Sequence, residues 1–320
     1  MRARWLVVGV VVLVISLVVA GALWWRSAQL TDLQRAVADA PPGSERLTWT
    51  DWAAVRTELG ADLDTGSSVA ELEEFLADGF EADLTSSSTL LTSAATLHQR
   101  FGFSPATLEW ELFSQGPEGA AILMRLPEST DFDQVGDRLA SLGYDRPTDE
   151  EGIFEGGGDT ISRISNDLTP ELQHLALDPD RQLVVASDDD AYLQQALDTV
   201  RGDGDQLEGY DELVEATGEP LSGVVYSGGY TCSALAMGSA APDDQAQADE
   251  LVEAAGEVNP VTGFSMSVQP DRDVRVVLGF ENDEQAVTNA DSRAILARGP
   301  APGQGGEFGD RFAVDSVTAE

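Results

Sequence analysis

Three stretches of this chain repeat one order of hydrophobic period: alternation, a turn, alternation again, then a helical stripe. In the first, Leu108, Trp110 and Leu112 alternate with Glu109 and Glu111, and Gln115-Gly116-Pro117-Glu118-Gly119 turns the chain into Ile122, Met124 and Leu126. A helix follows with Phe132, Val135, Leu139 and Leu142 on one face and Gly143 past its end. The second stretch is LQHLALDPDRQLVVASDDDAYLQQALDTV, turning at Pro179-Asp180-Arg181, with Leu193, Leu197 and Val200 as the helical stripe. In the third, Phe264, Met266 and Val268 face Val274, Val276, Leu278 and Phe280 across a turn at Pro270-Asp271-Arg272. Its helical stripe, Val287, Ala290, Ala294 and Ala297, lies at a constant offset of 155 from that of the first. A degenerate ββα repeat predicts an α+β fold: an antiparallel sheet with its helices on one face. A doubly wound α/β fold would need strand and helix to alternate singly.

Ahead of the first repeat, TWTDWAAVRTEL has Thr50 or Asp51 as N-cap, and SSVAELEEFLADGF puts Val69, Leu72 and Leu76 on one face. TSSSTLLTSAATLHQRFGF adds a third helix, stopped near Gly102 and Pro105. The expected organisation is one α+β lobe over residues 45–165 and a second over 166–320.

The N-terminus adds a different signal. Trp5 to Trp25 carries no charge and follows Arg2 and Arg4, a length that spans a ~30 Å hydrocarbon core. Trp5, Trp24 and Trp25 stand at its two ends, where indole rings favour headgroups. Residues 1–26 are therefore expected to be a signal anchor, with the N-terminus cytoplasmic and the rest extracytoplasmic; a signal peptide cleaved at Ala20-Gly21-Ala22 is the alternative. Residues 27–44 read as a juxtamembrane helical stalk, with Leu30, Leu33 and Val37 in phase, broken at Pro41-Pro42-Gly43. The expected localisation is a single-pass protein of the cell membrane, the membrane being its partner through that helix.

The anchor, TWTDWAAVR, FGFSPATLEWELFSQG, LDPDRQLVVASDDDAYL and NADSRAILARGPAPG together resemble membrane-anchored envelope proteins of high-GC actinobacteria, a family whose own function is uncharacterised. The resemblance implies topology only and carries over no catalytic residue.

Charge and composition exclude several chemistries. There are 57 acidic against 18 basic residues, a net charge of −39, and every basic side chain is arginine. Such a field repels phosphate backbones, so no nucleic-acid partner is expected. Without lysine there is no Walker A site, no Ser-x-x-Lys acylation site and no Schiff-base nucleophile. His98 and His174 have no carboxylate at zinc-motif spacing, and no G-x-S-x-G occurs. The loop RGDGDQLEGYDE begins with Asp203 and Asp205 but places Leu207 where an EF-hand-like site needs its next carboxylate. Gly156-Gly157-Gly158 lacks the strand-turn-helix order of a dinucleotide site. No catalytic, metal or cofactor residue is assigned.

One residue stands out by its singularity. Cys232, in YSGGYTCSALAMG, is the only cysteine, and it is expected to be either a buried thiol or half of a disulfide whose partner lies outside this sequence. The functional expectation is a membrane-anchored extracytoplasmic binding or envelope-structural domain for a protein or envelope partner. The alternative is a carboxylate-dependent hydrolase of envelope glycans. A bare sheet face would favour binding; a cleft holding two close carboxyls, one with a raised pKa, would favour hydrolysis.

Overall fold

The computed structural model describes residues 30–149, 152–235, 240–256, 258–303 and 305–319. Its centre is one antiparallel sheet of nine strands in the order β4-β5-β6-β3-β2-β1-β7-β8-β9. The strands are β1 Arg46–Thr50, β2 Trp110–Gly116, β3 Gly119–Arg125, β4 Ile153–Glu155, β5 His174–Asp178, β6 Leu183–Ser187, β7 Ser222–Ser227, β8 Gly263–Val268 and β9 Val274–Gly279. The class is α+β.

Each ββα unit is present: β2, β3 and a helix α5 (Phe132–Leu142); β5, β6 and α7 (Asp190–Arg201); β8, β9 and α11 (Asp283–Leu296). The helices do not share a face, which corrects the expectation of helices on one side. Phe132, Val135 and Leu139 of α5 join Ile122, Met124, Val184 and Ala186 in one core. Tyr192, Leu193, Ala196, Leu197 and Val200 of α7 join Ala121, Leu123, Leu183 and Val185 in a second core on the other side. Central strands buried on both sides need cover on both sides, so β6 is buried along its whole length.

The first core is completed by α2 (Trp52–Leu59), α3 (Val69–Glu81), α6 (Gly158–Ile164) and the short α4 (Ala94–Thr96), which runs into a π-helical turn Leu97–Phe101 that ends on left-handed Gly102. Asp51 caps α2, its carboxylate accepting from Ala54 N–H at 2.8 Å. The second core takes in α8 (Asp211–Thr217) and α1 (Asp32–Ala38), whose Leu33, Ala36 and Val37 are buried. The segment expected to be a stalk thus packs against the sheet, because its apolar stripe is buried there. The halves expected as two lobes share the one sheet: hairpin β5-β6 lies between β4 and β3, and β7 pairs with β1.

Among the described residues, no helix is long and apolar enough to cross a membrane. That finding corrects the transmembrane, signal-anchor, membrane-partner and extracytoplasmic expectations. The run 1–26 on which they rested lies outside the described residues, and no described helix takes its place.

Candidate functional site

Among the described residues, the β7-β8-β9 end of the sheet is covered on one face only. There α8 packs Leu213 and Val214 into the second core, and the Thr217 hydroxyl donates to Ser265 Oγ at 2.8 Å. Gln269 Nε2 donates to Ser267 Oγ at 2.9 Å and to the Thr217 carbonyl at 3.2 Å, so the small polar residues of this face are buried with partners. The register places Val224, Met266 and Val276 side by side on the opposite face, flanked by Phe264 with Leu278 and by Val268 with Val274. Val268 packs at the margin of the first core, while Met266, Val274 and Val276 are 48%, 50% and 51% exposed.

The helix that the repeat predicts for this face leaves it open. Val287 of α11 is exposed, and the helix instead buries Asn289 and Ser292. Asn289 Nδ2 donates to Asn259 Oδ1 and to the Gln285 carbonyl, both at 2.8 Å, and its Oδ1 accepts from Asn259 N–H at 3.1 Å. These polar ties, with contacts to α10 (Pro242–Ala255), seat α11 by hydrogen bonds on a side of the helix other than the alanine stripe.

β9 is also the edge. Gln269 N–H donates to the Asp273 carbonyl at 2.9 Å, which sets the alternation of the ladder: residues 273, 275, 277 and 279 bond towards β8. The N–H and C=O groups of Val274, Val276 and Leu278 therefore point away from β8, at an edge where no further strand pairs among the described residues. The one charge within the strand, Arg275, reaches the other face, where its guanidinium lies 3.4 and 3.3 Å from the carbonyls of Ala216 and Thr217. At the opposite edge β4 is only three residues long and is flanked by an Asp145–Glu155 bridge, a short edge of the protected kind.

Helix α9 (Gly228–Leu235) closes the glycine end of the bare face. Tyr226 stacks edge-on against Tyr230 at 5.3 Å and lies 5.6 Å from Phe264. An open cavity of about 270 Å³ adjoins it, lined by Glu45, Arg46, Gln115, Gly116, Pro117 and Tyr230. Cys232 is on this helix and is exposed, with Sγ 3.5 Å from the Val261 carbonyl. This placement removes the buried-thiol expectation, because the outward side of α9 carries Cys232. A disulfide would need a cysteine from outside this sequence.

The three carboxyls with raised pKa values are held within the fold. Glu111 is fully buried; it accepts from Trp52 Nε1 at 3.1 Å, Ser88 Oγ at 2.7 Å and Thr89 N–H at 2.9 Å, and burial pushes its pKa up to about 7 against these bonds. Burial likewise raises Asp51 and Asp39 to about 6; the Ala54 N–H bond opposes it at Asp51, and Arg181 and Arg125 oppose it at Asp39. None of the three lines either open cavity: the one beside Tyr230, or a second of about 440 Å³ around Asp145, Asp149 and Glu155. His98 is held by Ser104 Oγ at 3.0 Å and the Ser67 carbonyl at 2.7 Å, and His174 opens β5. Among the described residues, no three His, Cys, Asp or Glu side chains gather to hold a metal ion.

Alternation in the sequence identified Val274, Val276 and Leu278 as strand residues but assigned their face to the interior. No local signal distinguishes an apolar row that a helix covers from one that none does. No protein-family model, curated protein or solved structure matches this chain.

Proposed function

We propose that this chain is a binding protein that takes up an extended segment of a partner as a tenth strand alongside β9. One observation carries this: the outward-facing backbone groups of Val274, Val276 and Leu278 border a bare apolar face. Strand addition satisfies those groups by main-chain hydrogen bonds and lays alternate partner side chains beside Val276 and Met266. The carboxylate-hydrolase alternative lacks such support, since Glu111, a carboxyl whose pKa burial raises, is sealed in a cage of donors.

Val276→Pro tests it. Proline removes the outward N–H at the centre of the edge and leaves the β8 side of the ladder intact. Capture of extended peptides by the purified chain should be lost while the fold remains. Unchanged capture would overturn the proposal.

A further inference from the structure

Resting on strand addition at β9, we infer that the partner segment is cationic at both ends: an apolar-alternating strand of about six residues flanked on each side by arginine or lysine. The open edge is bracketed by carboxylates. Asp271 and Asp273 stand at the start of β9, and Glu281, Asp283 and Glu284 at its end, all exposed. The two groups lie at opposite ends of a six-residue strand, about 20 Å of extended chain.

The nearby cations do not cancel them. Arg272 is bonded to Glu58 at 2.7 Å, and Arg275 reaches carbonyls on the other face. Arg293 lies 5.8 Å above the Phe280 ring and forms no salt bridge with the three carboxylates at the far end. None of the five bracketing carboxylates forms a salt bridge among the described residues.

On the bare face an incoming strand therefore meets an apolar middle with an anionic site at each end, Arg275 being directed to the other face. Apolar alternation suits Met266, Val274 and Val276, and terminal cations meet the carboxylates. A second copy is the poorer occupant, because two chains of net charge −39 repel as they approach. For the same reason a cationic segment is drawn towards the whole molecule before it docks.

The test uses the full chain and three synthetic peptides with the same alternating Val-Thr centre, flanked by arginine, serine or glutamate. The arginine-flanked peptide should bind at least about tenfold tighter than the serine-flanked one at low salt, the gap closing as salt is raised, and the glutamate-flanked peptide should bind weakest. D273N with D283N and E284Q should erase the preference for arginine flanks and leave serine-flanked binding unchanged. If serine- and arginine-flanked peptides bind equally, strand addition stands and the cationic partner is overturned. If none binds, strand addition itself fails. If the chain forms a dimer that Val276→Pro dissolves, the occupant is a second copy and the inference is likewise overturned.

Discussion

Trp52 Nε1 donates to Glu111 Oε2 at 3.1 Å, so the first residue of α2 and the second residue of β2 share one buried carboxylate. Ser88 Oγ and Thr89 N–H bond the same group and tie the loop after α3 to the sheet. The arrangement is structural, and it makes the fold sensitive to pH.

Glu111 titrates near 7 in the folded protein against an ordinary 4.5. Between those values the unfolded chain releases the proton first, so stability is full below pH 4.5 and falls as pH rises towards 7, by roughly 3 kcal/mol from this group. Glu111→Gln cannot ionise. The wild-type stability minus that of Glu111→Gln, from denaturant unfolding, should therefore shrink between pH 4.5 and 8. A difference that does not change with pH would assign the titration elsewhere.

Leu139 of α5 is fully buried in the first core, whereas Asp137 on the same helix is exposed and forms a 2.5 Å ion pair with half-exposed Arg146. Leu139→Asp should cost more than about 4 kcal/mol or prevent folding, by placing an unpaired carboxylate among apolar side chains. Asp137→Asn should cost under about 1 kcal/mol. Comparable losses in thermal or denaturant unfolding would reject the inward stripe of α5.

Gly119 opens β3 against the Tyr192 ring: a Cβ there would lie 2.6 Å from Tyr192 Cγ, too close for any real contact. Gly119→Ala should destabilise by about 1–3 kcal/mol through overpacking. Gly60 has φ 66° and open space around it, so Gly60→Ala should cost only the left-handed backbone strain, about 1 kcal/mol. If Gly119→Ala proves the milder substitution in urea titrations, β3 and α7 are not in the close approach described.

Cys232 is exposed on α9, so a thiol reagent should modify the reduced, folded protein stoichiometrically without denaturant. Cys232→Ser should change stability by less than about 0.5 kcal/mol. Protection of the thiol until unfolding would mean that α9 presents its other side to solvent.

Local order in this protein was legible in its sequence because local order is periodic. Two residues per repeat marked β2, β3, β5, β6, β8 and β9; stripes at helical spacing marked α5 and α7; Gly143 marked a left-handed helix end, and Asp51 a cap. Neither the sheet order nor the side each helix would take was written there. Val184 and Val276 sit in similar apolar runs, yet the first is buried beneath helices and the second is half exposed. Period 2 separates the two sides of a strand without naming what covers either side, and that choice is made by chain segments far away in sequence. So α11 settled on its Asn289 contacts and left Val287 of its predicted stripe exposed, Cys232 faced solvent, and Glu111, an ordinary outward position by alternation, became a fully buried carboxyl, because Trp52, Ser88 and Thr89 converge on it only in three dimensions.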